Sequence, residues 1–141
     1  MQFQRVNRSD PEKVFIVAKN SSSTSAMTVG QVHCWDYTTD ADGVGMTFPT
    51  TALLKLPAGI IETASIAVGD YGLVQVYGHN ANALVDGTTG IGVGVPLKTA
   101  NAVANLVIAG VTATGASYFF VCGQAYTTGA AAAKRVFVRC L

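Results

Sequence analysis

The chain has 141 residues, enough for one domain around one core. Charged residues make up only 12%, about half the share of an ordinary soluble domain, while apolar residues reach 50%. The net charge of +1 excludes a broad basic field for nucleic acid and an acidic field for cations. In chain order, residues 1–13 (MQFQRVNRSDPEK) are polar with isolated apolar side chains. They predict an N-terminal arm ahead of a single β domain over 14–141. Phe3 and Arg5 in that arm are candidate docking residues; the plainer alternative is a frayed terminus.

From residue 14 onward, strand patterns dominate. They cover 14–18, 31–37, 58–66, 72–78, 81–85, 102–109, 117–126 and 135–141, all rich in β-branched and aromatic residues. Turn chemistry separates them at 20–25, 40–43, His79-Asn80, Asp86-Gly87, 110–115 and 127–129. Residues 50–56 suit one short turn before Pro57. The alanine run 130–133 covers about one helical turn, and a loop or a packed edge is the better expectation for it. Many short strands at this spacing predict an all-β single-domain sandwich or barrel.

Period-two alternation divides the strands into faces. Val14, Ile16 and Ala18 oppose Lys13, Phe15, Val17 and Lys19; Val74 and Val76 oppose Leu73, Gln75 and Tyr77; Val136, Val138 and Cys140 oppose Arg135, Phe137, Arg139 and Leu141. One face of each strand is small and suited to a core. The other mixes long apolar, aromatic and polar groups, where a free antiparallel sheet would be plainly polar. With so little charge in the chain, this pattern points to covered surface. Tyr71, Gln75, Tyr77, Phe137 and Arg139 are the candidate contact residues, because aromatic and Arg anchors dominate interface energetics. Gln75, a polar side chain amid valines, is expected to face a neighbouring chain or a second sheet. The alternative is that the tyrosines cap the core.

Chemistry is sparse. His33 and His79 lie in no nucleophile–base–orienter arrangement, so no catalytic residue is assigned. Three cysteines without a CxxC and only two histidines give no zinc pairing, and Asp36, Asp40, Asp42 and Gly43 lack the spacing and closing Glu of an EF-hand. No metal and no cofactor is therefore expected. GIGVGV (90–95) is not GxGxxG, and Pro96 stands where a helix should start. The polar start lacks a secretory leader, which predicts reduced thiols and makes the sequons at Asn7 and Asn20 chance matches. No window reaches the roughly 18 uninterrupted apolar residues of a membrane helix.

The segment GDYGLVQVYGHNANALVDGTTGIGVGVPLK (69–98), with KVFIVAKN…TVGQVHCWDY before it and GQAYTTG…KRVFVRCL after it, resembles small structural proteins of tailed bacteriophages, of the capsid decoration or cement type. The likeness is one of pattern and spans most of the chain. It implies a virion protein made in the host cytoplasm and seated on the outer face of the capsid. Its implied partners are the major capsid protein and further copies of itself, a trimer being the expected homo-oligomer. It implies neither enzymatic activity nor direct contact with nucleic acid or membrane. Three cysteines are a departure that such a role does not need; they are expected to act as small buried hydrophobes. Other virion positions (tail, connector or fibre module) remain as alternatives. So does a carbohydrate- or receptor-binding module built on Trp35, Asp36 and Tyr37.

Overall fold

A computed structural model describes residues 12–40, 42–87, 90–109, 119–126 and 129–141. The arm residues Phe3 and Arg5 lie outside them. The described residues form eleven strands and no helix, so the expected all-β class holds. The strands are β1 (Lys13–Asn20), β2 (Met27–Thr28), β3 (Val32–Trp35), β4 (Gly45–Thr47), β5 (Pro57–Ile61), β6 (Ser65–Ile66), β7 (Tyr71–Gly87), β8 (Pro96–Ala100), β9 (Val103–Ile108), β10 (Phe120–Cys122) and β11 (Gly129–Arg139).

Nine strands pair in the order β1-β4-β3-β5-β7-β11-β10-β8-β9, while β2 and β6 form a separate ribbon. Two further pairings, β1 with β7 and β7 with β9, close this ladder on itself twice. One ring is β1-β4-β3-β5-β7 and the other β7-β11-β10-β8-β9, so β7 is their common wall. Its first half pairs with β1 and β5; its second half pairs with β11 and touches β9 at Val85↔Leu106. Closure removes sheet edges, which otherwise invite uncontrolled pairing.

Each ring has its own core. Ala18, Met46, Ala58, Ile61 and Val74 fill the first, and Met27 and Ile66 of the β2–β6 ribbon add to it. Ala83, Val85, Leu97, Leu106, Phe120, Cys122, Val136 and Val138 fill the second. Val32 and Ile60, on strands of the first ring, belong to the second core. The rings are therefore packed against each other and not merely joined by β7. Buried Asn20 fixes the turn after β1: its amide donates to the carbonyls of Ser25 and Ile66 (both 3.0 Å), and its Oδ1 accepts the Ser22 N–H (2.9 Å). That side chain is wholly engaged inside, so its sequon is no acceptor site.

β7 corrects an expectation. His79-Asn80 forms no turn: the strand continues through it for 17 residues. Asn80 is buried, and its side chain accepts the N–H of Asn82 (2.8 Å) while donating to Gln75 Oε1 (3.0 Å) and Glu62 Oε1 (2.5 Å). The chain bends without leaving the ladder at Gly78, where φ is +100° and a Cβ would overlap the Glu12 carbonyl oxygen. Gly59 (φ +145°) plays the same part on β5, its bare Cα lying against the Gln75 carbonyl. The alanine run is the expected packed edge and not a helical turn: Ala130–Ala133 lies in β11, with Ala132 and Ala133 paired with Val85 and Leu84, because a ladder partner outweighs a local preference worth a few tenths of a kcal/mol per residue.

Candidate functional site

The alternation expected for β1 and β11 is present, and it produces exposed patches on both sides of β7. On β1, Phe15 and Val17 are exposed, Val17 by 63%. Val17 pairs with Leu73, and Lys19 with Tyr71, so these side chains share one side of the β1–β7 ladder. Leu73 and Tyr71 are also exposed, Tyr71 by 59%. Across β7, Arg139 pairs with Tyr77 and Phe137 with His79. The rings of Tyr77 and Phe137 meet edge to face, with centroids 5.4 Å apart. Arg139 is exposed beside Tyr77, and Arg135 is exposed further along β11 on the same side as Phe137. The result is two patches on opposite sides of the sheet: Phe15, Val17, Leu73 and Tyr71 on one, and Tyr77, Phe137 and Arg139 on the other, because the register shift between Val14 and Phe15 pairs Tyr77 with Val14. Side chains on paired strands lose little freedom on being covered, and an aromatic–Arg mixture is what binding hot spots use.

Of the candidate contact residues, Tyr71 stands on one side of the sheet, while Tyr77, Phe137 and Arg139 come together on the other. Gln75 joins neither, and that expectation is corrected in part. It alternates with Leu73 and Tyr77 but is fully buried, because β5 lies beside it and Ile60, its partner, is drawn into the second core. Its amide donates to the Tyr77 carbonyl (3.0 Å) and its Oε1 accepts from Asn80. Gln75 thus meets the strands beside it within the chain and presents nothing to solvent. Phe15, Val17 and Leu73 are exposed apolar residues not singled out beforehand. Alternation already assigned them to the mixed face, but only the β1–β7 register brings them beside Tyr71.

The chemically versatile groups lie elsewhere and are held inside. His33 is buried, with Nδ1 3.3 Å from the Thr47 carbonyl, Nε2 3.2 Å from Gln31 Oε1, and Phe48 edge-on at 4.6 Å. Burial drives its pKa down to about 4 against the weaker opposing effect of Thr47. Cys34 and Cys122 are buried and Cys140 is half-buried, all as free thiols. Desolvation pushes Cys34 and Cys140 up to about 12, opposite to what a nucleophile needs. Among the described residues, no three His, Cys, Asp or Glu side chains converge to hold a metal ion.

Trp35, Asp36 and Tyr37 do not make a platform. Trp35 packs on the first core, and Asp36 is buried, its Oδ1 accepting from Thr38 Oγ1 (2.9 Å) and the Thr39 N–H (3.2 Å). Of the three, only Tyr37 is open. Asp40 likewise serves its own turn, accepting the Asp42 N–H at 3.2 Å.

No family model matches the chain, and no curated protein sequence does. A solved structure shares its fold: the N base of head fiber gp8.5 in bacteriophage phi29, with a TM-score of 0.52 over 90% of this chain and 94% of that one. The sequences are 16% identical, so the likeness lies in the backbone.

Proposed function

We propose that this chain is a structural protein of a bacteriophage particle, acting by attachment and not by catalysis. It sits on the outside of the head, where its exposed apolar patches are covered by protein. The observation that carries this reading is the backbone likeness to a phage head fiber base over nearly the whole chain, joined to exposed apolar patches in a sparsely charged molecule. The major capsid protein is its expected partner there, as in the decoration role implied by the sequence pattern. Many weak contacts per particle then add through effective concentration.

The reading is tested by sedimentation. The chain is expected to co-sediment with intact heads and to be stripped from them without release of the genome. A chain found only free, or only with emptied heads, overturns it. A fibre-base role is the second reading, favoured by the same structural neighbour. The two differ in effect: a decoration protein raises the shell's resistance to heat, whereas a fibre base leaves it unchanged. Packing of Trp35 and engagement of Asp36 speak against a glycan-binding role.

A further inference from the structure

The first ring closes over a short seam. β4 pairs only with the end of β1, at Lys19↔Gly45 and Asn20↔Met46. The hydrogen bonds there fix which way the backbone of β1 points. The N–H groups of Lys19 and Ser21 donate outward, to the carbonyls of Val44 and Met46, whereas the Asn20 N–H donates to the Asp70 carbonyl at the start of β7 (each 2.9 Å). In an extended strand this direction alternates from residue to residue. The register shift against β7 skips Val76 and no residue of β1, so β1 keeps its alternation. The N–H and C=O groups of Lys13, Phe15 and Val17 therefore face away from β7. Among the described residues, no strand pairs with that edge of β1 ahead of Lys19. It is an open sheet edge, and Phe15 and Val17 are exposed beside it.

We propose that this edge is completed by the same edge of a second copy, β1 against β1, antiparallel about a two-fold axis at Phe15. The argument is self-complementarity. Antiparallel strands exchange backbone bonds at every second residue. With the axis at Phe15, Phe15 meets its own counterpart and Lys13 meets Val17 of the other copy, so each outward N–H and C=O gains a partner. The neighbouring registers fail. An axis at Ile16 sets Lys13 against Lys19, like charge on like, and the Lys19 N–H already serves Val44. An axis at Val14 sets Val17 against Pro11, which has no N–H to give. In the register that remains, half-buried Val14 lies opposite half-buried Ile16, and no two like charges face each other. The net charge of +1 puts almost no general repulsion in the way. Because the contact is isologous, it closes at two copies. It also sets the two patches of Phe15, Val17, Leu73 and Tyr71 side by side, as one larger surface for other partners.

The test is sedimentation equilibrium of the full chain, with amide hydrogen exchange on the same samples. A monomer–dimer equilibrium is expected, in which the Phe15 and Val17 amides exchange slowly in the dimer and fast on dilution. Phe15→Asp sets two carboxylates against each other at the axis and should abolish the dimer. Its thermal melt should stay close to the parent's, since Phe15 is exposed in the single chain. Val17→Lys places an ammonium opposite Lys13 on both sides of the axis and should weaken dimerisation about tenfold or more. Adding Lys13→Glu to that variant should recover the parent's affinity, because each cross-strand pair then carries opposite charges. Within one chain the two positions lie roughly 13 Å apart along the strand, too far to form that pair themselves. A monomer at every concentration, a three-fold species, fast exchange of both amides in the dimer, or no recovery in the double variant overturns the proposal. Head binding by a strictly monomeric chain would leave the attachment role standing while removing this inference.

Discussion

His33 shows how the fold uses a group that titrates near neutrality as a structural part. Its two ring nitrogens face two acceptor oxygens, and Gln31 Oε1 is fixed as an acceptor because it also takes the Thr28 N–H at 2.8 Å. A neutral ring has one N–H, so it donates to one of these oxygens only. Protonation would satisfy both, yet burial outweighs that gain and holds the pKa near 4 against an ordinary 6.5. The folded pKa lies below the unfolded one, so protons favour the unfolded chain. Stability is whole above pH 6.5 and is lost as pH falls towards 4, by about 3 kcal/mol from this residue. Denaturant titrations of the parent and His33→Gln should therefore differ in slope between pH 6.5 and 4, with the variant's stability falling less. Equal slopes would mean that His33 is protonated as easily inside as outside. The thiols belong to the same scale. With pKa values near 12, Cys34 and Cys140 hold about one thiolate in ten thousand at pH 8, so iodoacetamide should label them only after unfolding.

At the scale of elements, β7 depends on a glycine. Gly78 combines a φ of +100° with a backbone oxygen where a side chain would begin, so Gly78→Ala meets strain and overlap together. The expected loss is about 3 kcal/mol or more, measured by chemical denaturation, and a loss below about 1 kcal/mol would show that the Glu12 backbone moves aside cheaply. The β8–β9 hairpin offers the opposite change. Ala102 holds φ at +61° in the two-residue connection beneath the Ala100↔Val103 pair, a conformation that glycine adopts without penalty. Ala102→Gly should raise stability by up to about 1 kcal/mol, read as an increase in Tm, provided the Ala102 N–H keeps its bond to the Pro49 carbonyl. These elements also show how much of the fold is legible in the sequence. The faces of β1 and β11 are readable because Val and Ile alternate with Lys, Phe and Arg, and burial enforces a period of two. β7 misleads because His79-Asn80 has turn composition, and the bonds that keep Asn80 inside come from Glu62 and Gln75, which no local pattern reveals. β8 is hidden behind Pro96, and β2 and β4 are too short to show a period. On the exposed patches, residue types can be read but neighbours cannot. Val17 meets Leu73 only through a pairing between strands more than fifty residues apart.

For the whole molecule, the consequential feature is that one strand serves two rings. Val74 lies in the first core and Val85 in the second, eleven residues apart on the same β7. Neither ring closes without this strand, and Ile60 and Val32 of the first ring complete the core of the second. The low charge fits the same design: many short strands turned inward leave little surface that needs ionic groups for folding. Two rings joined by a flexible linker would melt separately, each with its own midpoint. A shared wall requires that they unfold together. Trp35, the chain's one tryptophan, packs on the first core and reports its opening by fluorescence, while Cys122 is buried in the second and reports its opening by thiol labelling. In a Cys34→Ala/Cys140→Ala background, the two probes should give coincident denaturation midpoints. Val74→Ala and Val85→Ala should each cost about 2 kcal/mol and shift both probes by the same amount, although each removes methyls from one core only. If Val74→Ala moved the tryptophan signal and left the thiol signal in place, the rings would be independent units, and β7 would be a connector instead of a wall.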